Sequence, residues 1–166
     1  MATSEHLRSA PETPSCLTSD LGWLLSRVSH ALTTKSTAAL EDSGISPRGH
    51  SVLAAAMTGE YAQTELARMV GLDKTTMVVT VDDLEARGLV ERRPSKRDRR
   101  ARLITVTKEG RRKVEVADRV LDRVREDVLR ALPEDEREVF VRALGRLACG
   151  RLAEPVPCAP PVRRRG

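Results

Sequence analysis

The chain has 166 residues, 40% of them hydrophobic and 32% charged, which fits one globular domain with a sizeable core and is too short for two ordinary ones. No apolar run reaches the length of about 18 residues needed to cross a bilayer, and the opening segment MATSEHLRSAPETPSCLTSD mixes acids and prolines without an apolar core, so no membrane span or secretory leader is expected and a cytoplasmic location is. The formal net charge of +5 is concentrated: between Glu91 and Arg102 the cations Arg92, Arg93, Lys96, Arg97, Arg99, Arg100 and Arg102 face only Glu91 and Asp98, so this one stretch equals the excess of the whole chain and points to an acidic partner.

Residues 1–17 are polar, contain Pro11 and Pro14, and show no sustained periodicity, which predicts a flexible arm. Leu17, Leu21, Leu24, Leu25, Val28, Ala31 and Leu32 then recur at three- and four-residue steps, predicting a first long helix that ends near Gly44. Ser46 and Pro47 are suited to the cap and first position of a second helix through Val52, Leu53, Ala56 and Met57, stopping at Gly59. A short helix over residues 63–70, a break at Gly71 and a cap at Asp73 lead into a helix that buries Met77, Val81 and Leu84 and ends at Gly88. Two helices joined by a tight glycine turn are the signature of a helix-turn-helix.

Past Gly88 the segments LVERR and RLITVT flank PSKRDRRA and predict a two-stranded hairpin with a basic tip, a wing. Thr107 caps a long helix with Val114, Ala117, Val120, Leu121, Val124, Val128 and Leu129 on its apolar positions, and Pro133 opens a last helix through Val139, Phe140, Ala143, Leu144 and Leu147. The tail 153–166 holds Pro155, Pro157, Pro160 and Pro161, which forbid a helix, and its Arg163, Arg164 and Arg165 either meet phosphates or stay solvated. The expected fold is mainly α with a small β-hairpin wing. The expected layout is one domain over residues 18–152, with terminal helices at 18–44 and 108–152 expected to serve dimerisation around a lobe at 46–106 expected to bind DNA.

The order of these elements and the string GLVERRPSKRDRRARLITVTKEG resemble the multiple-antibiotic-resistance-regulator (MarR) family over about residues 18–152. The most specific feature is Asp-x-Arg followed by a Leu-x-x-Thr strand end, which falls on Asp98, Arg100 and residues 103–107; TELARMVGLDKTTM and DDLEARGLV match the helix-turn-helix region. The resemblance implies a homodimer, a recognition helix in each of two major grooves, wing arginines in the flanking minor grooves, and a small effector that releases DNA. By that pattern Arg100 inserts with Asp98 holding its guanidinium, while Lys96, Arg97 and Arg99 meet phosphates. Repression rather than activation is the family habit.

Each implied role has a physical reason in these residues. A narrow minor groove concentrates negative potential and admits a planar guanidinium, and the same basic stretch makes Arg92 and Arg102 DNA-binding candidates. With Met77, Val81 and Leu84 turned to the core, Lys74, Thr75, Thr76, Val79, Thr80 and Asp83 face outward as base-edge candidates, where Thr hydrogen-bonds several bases and a Thr or Val methyl touches thymine. Val79 stands where many family members have Arg, and Asp83 is acidic, so guanine readout is weakened and a larger share of specificity is expected from the wing and DNA shape. Thr64 either contacts a backbone phosphate or serves only the helix start. The apolar terminal helices call for a two-fold dimer, which sets recognition helices about 34 Å apart over a pseudo-palindromic operator.

Effector-pocket candidates are Trp23, His30 and His50, placed by the resemblance between the dimerisation helices and the DNA-binding lobe. Cys16, Cys149 and Cys158 are odd in number and lack CxxC spacing, which predicts reduced thiols and no disulfide framework or zinc site; a thiol switch at Cys16 or Cys149 is the alternative regulatory reading. The sequence holds no GxSxG, HExxH, P-loop or GxGxxG, and His6, His30 and His50 have no ligand-spaced neighbours, so no enzyme activity, catalytic residue, metal or cofactor is expected. A second rival is a winged helix used for protein contact, its basic wing meeting an acidic partner.

Overall fold

Residues 14–95 and 102–153 are described in the computed structural model. A single turn of helix, α1 (Ser15–Thr18), is followed by α2 (Leu21–Ala39), which starts where the Asp20 side chain accepts a hydrogen bond from the Trp23 N–H at 2.6 Å. The first helix is therefore shorter at both ends than its hydrophobic pattern predicts, and one helical turn lies within the stretch expected to be a loose arm. At the far end Glu41–Ser43 tighten into a 3₁₀ turn, closed by Gly44 in the left-handed region at φ 71°. Ser46 caps α3 (Pro47–Ala56) by accepting from the Gly49 N–H at 3.1 Å, and the helix ends ahead of Gly59.

The helix-turn-helix consists of α4 (Gln63–Val70) and α5 (Lys74–Ala86). Glu65 reaches back to the Ala62 N–H at 2.7 Å, satisfying one of the donors left open at the start of α4. Gly71, at φ 69°, turns the chain between the helices, a conformation that costs any other L-residue free energy. Asp73 caps α5 by accepting from the Thr76 N–H at 2.9 Å and the Thr76 hydroxyl at 2.5 Å. These bonds, the hydroxyl first, favour the ionised carboxylate and hold Asp73 below the usual carboxylate range.

The sheet is larger than the hairpin the sequence predicts. β2 (Val90–Pro94) and β3 (Arg102–Val106) pair antiparallel with Val90 opposite Val106 and Pro94 opposite Arg102, while the two-residue strand β1 (Tyr61–Ala62) joins the outer edge of β3, giving the order β1-β3-β2. Two residues carry no readable period, so only the pairing of Tyr61 with Ile104 and Ala62 with Leu103 identifies β1 as a strand.

Thr107 caps α6 (Lys108–Leu129), accepting from the Gly110 N–H at 3.0 Å and donating its hydroxyl to the Gly88 carbonyl at 2.8 Å. Pro133 precedes α7 (Glu134–Arg146), and a wide turn, Leu147–Arg151, follows it. The core gathers Leu40, Val52, Leu53, Leu66, Met77, Val81, Leu84, Val90, Ile104 and Ala117, all nearly inaccessible. It lies within the winged lobe, and Leu40 from the end of α2 and Val114 and Ala117 from α6 dock onto it.

Gly110 is where α6 presses on the lobe: a Cβ there would overlap the Leu89 carbonyl oxygen and come within 2.8 Å of Val106 Cγ1. Gly110→Ala is therefore expected to destabilise the fold by about 3 kcal/mol, the upper end of overpacking costs. Gly71→Ala meets no neighbour and carries only backbone strain of about 1 kcal/mol. Chemical denaturation of the two variants beside the parent chain checks both values.

Candidate nucleic-acid interface

α5 presents a polar and apolar face away from the core. Met77, Val81 and Leu84 are buried to within 1% of full burial, as their three- and four-residue spacing predicts, and Lys74, Thr75, Val79 and Asp83 are exposed. Thr76 and Thr80 are only half-exposed and their hydroxyl protons are spent within the helix, on Asp73 and on the Thr76 carbonyl at 2.7 Å. They retain acceptor lone pairs but no free donor, which narrows the base-edge set. Val78, absent from the sequence-based candidates, is exposed beside Val79; it sits far enough from the core stripe that the period alone could have identified it. Thr64 is exposed on the first turn of α4.

Arg92 occupies a different place from the one expected. Its guanidinium pairs with both Asp82 and Glu85 on α5 and lies 3.4 Å from Gln63 Oε1 on α4, while its backbone N–H donates to Glu85 Oε1 at 3.1 Å. Burial works against its charge, but the bonds to Asp82 and Glu85 outweigh that and hold its proton more firmly than in a free arginine. The side chain is turned onto the helix-turn-helix and does not project from the strand. Its work is to hold β2 against α4 and α5.

Of the other basic candidates, Arg102 is exposed at the start of β3. Lys96, Arg97, Asp98, Arg99 and Arg100 lie outside the described residues, as do Cys158 and the arginines of the tail. Arg93 is engaged by its strand neighbour Glu91 at 2.7 Å. Both acids on the outward side of α5 are paired with arginines, Asp82 with Arg92 and Asp83 with Arg87 at 2.9 Å, and Arg87 also donates to the Gly44 carbonyl at 2.5 Å.

Trp23, His30 and His50 each have separate partners or exposure within the chain. Trp23 lies under Arg27, whose guanidinium carbon is 5.8 Å from the ring centre, His30 is exposed on α2, and His50 on α3 is bonded through Nε2 to Asp118 of α6 at 2.7 Å. A cleft of about 580 Å³ instead opens between the end of α2 and the lobe, where Thr33, Thr37, Leu40, Ile45 and Arg87 contribute to its lining, and none of the three residues borders it. Cys16 and Cys149 are free, exposed thiols. Among the described residues no group of three His, Cys, Asp or Glu is placed to hold a metal, and no helix is long and apolar enough to cross a membrane.

If Arg92 acts as this clamp, Arg92→Met should lower stability by about 1 to 2 kcal/mol, discounting the half-exposed carboxylates for solvent screening. The loss should shrink when Asp82 and Glu85 are also neutralised, and a thermal-denaturation double-mutant cycle measures that coupling.

Comparison with known proteins agrees with this architecture. A sequence model of the MarR family matches residues 43–101. A transcriptional regulator of the MarR family from Rhodococcus sp. RHA1 is 33% identical, the alignment covering 81% of this chain and 96% of that one, with a TM-score of 0.74. CouR from Rhodococcus jostii RHA1, in a structure bound to p-coumaroyl-CoA, is 32% identical over 88% of this chain and all of its own, with a TM-score of 0.71. A transcriptional repressor, CouR, bound to a 23-mer DNA duplex is 26% identical over 84% of this chain and 99% of its own, with a TM-score of 0.76. At such identity and near-complete coverage of those chains, this chain belongs to the MarR family of transcriptional regulators.

Proposed function

We propose that the protein is a dimeric, sequence-specific repressor that binds duplex DNA with α5 in the major groove and the basic segment between β2 and β3 at the flanking minor groove. The observation that carries the reading is the placement of α5: its exposed N-terminal half, headed by Lys74 and Thr75, belongs to the same lobe as the hairpin that carries the chain's cationic excess. Lys74 and Arg102 supply exposed cations, and Arg100, with Lys96, Arg97, Asp98 and Arg99 around it, is assigned to the minor groove by the family pattern. Relatives seen with a DNA duplex and with p-coumaroyl-CoA support a repressor released by a small organic effector.

Dimerisation is supported by what the single chain leaves uncovered. Leu21, Leu24, Val28 and Leu32 form one stripe along α2, all at least 36% exposed, and Val139, Phe140 and Val141 on α7 are similarly open. α7 buries none of its residues and α2 buries only Ser36. Contiguous apolar surface of this kind marks an interface, and a two-fold arrangement lets one stripe serve both copies.

Two measurements check the reading. Selection from a random duplex pool should return a pseudo-palindrome, with log affinity falling steeply against log salt. Lys74→Ala should make that slope shallower by about one and Arg100→Ala should weaken binding by about 1 to 3 kcal/mol; a chain that selects no duplex, or binds without salt dependence, overturns the proposal. In sedimentation the parent chain should be a dimer at micromolar concentration and Val28→Asp a monomer, because a buried charge in an apolar seam lacks a partner.

A further inference from the structure

The outward face of α5 is unusual in what it lacks. A helix that reads bases by hydrogen bonding needs side chains with free donors and acceptors in pairs, yet the Thr76 and Thr80 hydroxyls donate back into their own helix and the Asp82 and Asp83 carboxylates are held by Arg92 and Arg87. What remains on the outer surface beyond Lys74 is Thr75 with Val78 and Val79. These three stand at i, i+3 and i+4, the spacing that brings side chains together on one face of a helix. Val79 is 64% exposed and Val78 37%, so both keep methyl surface open among the described residues. Valine is a poor choice for an exposed helix position on propensity alone, since its branched β-carbon is restricted against the preceding turn.

We propose that Thr75, Val78 and Val79 form an apolar reading surface for the C5-methyl group of pyrimidines in the major groove. The inference rests on the DNA-binding reading above and specifies the chemistry that α5 recognises. Thymine presents a methyl group beside its O4 acceptor, and a valine isopropyl or threonine methyl covers that group without needing a donor. Arg87 and Arg92 serve the surface by pairing with Asp83 and Asp82 next to it, which lowers the repulsion between α5 and a polyanion. The occupant is nucleic acid rather than protein on two grounds. The patch shares its helix with the exposed Lys74 and its lobe with the exposed Arg102, and three side chains on one helix make far too small an area for a stable protein interface. A 5-methylcytosine carries the same group at the same ring position, so the surface reads it as it reads thymine's methyl.

The test uses the full-length protein and the duplex returned by selection, with each thymine replaced in turn by deoxyuridine, a change that removes only the methyl. At one or more positions in each half-site, affinity should fall about three- to tenfold, the scale of one buried methyl group with its neighbouring contacts. Val79→Ala should keep its melting temperature and salt slope and lose the difference between thymine and uracil at that position. With cytosine put in place of that thymine, methylating its C5 should raise affinity for the parent chain and not for Val79→Ala. Equal affinity for thymine and uracil duplexes at every position, from a protein that still selects its sequence, overturns this inference and leaves the regulator reading standing. Dissociation of the dimer by Val79→Ala also overturns it, by assigning the patch to a second copy of the chain. Failure to select any duplex overturns the regulator reading itself.

Discussion

The guanidinium of Arg92 binds Asp82 and Glu85 on α5 while lying within reach of Gln63 on α4. β2 is thereby fixed against both helices of the helix-turn-helix at one point. β2 leads in sequence toward the basic stretch, so the clamp ties the strand that enters that stretch to α5. Charge-assisted bonds to two carboxylates one turn apart resist rotation of the strand as well as its separation from the helix, because a planar fork has a direction that a point charge lacks. The clamp also determines how the acids of α5 appear from outside, since carboxylates that would repel phosphate are occupied by an arginine of the same lobe.

The terminal helices reach this lobe through a few defined contacts. Thr107 joins the start of α6 to the Gly88 carbonyl, Gly110 lets its backbone pass close to Leu89, and Lys113 donates to the Ser43 carbonyl at 2.7 Å. Farther along α6, Asp118 meets His50 of α3 and Asp127 pairs with Lys35 of α2. α6 therefore contacts both the winged lobe and α2, the helix with the longest uncovered apolar stripe.

The exposed surfaces divide by chemistry. α2 presents a stripe of leucine and valine and α7 an exposed run of Val139, Phe140 and Val141, apolar surface suited to burial by the hydrophobic effect because that effect is non-directional and scales with area. α5 presents only a small methyl cluster headed by one lysine. A surface that small gains little from burial and much from position, which suits recognition of a single group on a base edge.

Much of the fold was legible because its signals are local. Ser46, Asp73 and Thr107 each cap the helix that their position announces, Gly71 turns the chain where it must, and the three- and four-residue spacing of Met77, Val81 and Leu84 dictates which side of α5 is buried. The basic content of the hairpin was equally plain from composition. Long-range partners were not legible, since no periodicity says which carboxylate a given arginine will find. Arg92 therefore read as one more cation of the wing, and only the tertiary structure showed it paired with Asp82 and Glu85, and His50 bonded to Asp118. The short strand β1 is identified only by its pairing with the edge of β3, and Leu40, just past the end of α2, is buried in the core. Sequence alone determined the elements, their caps and their charge, which depend on neighbours along the chain; the fold decided which polar groups were already paired and which remained free to meet a ligand, because that depends on residues far apart in sequence.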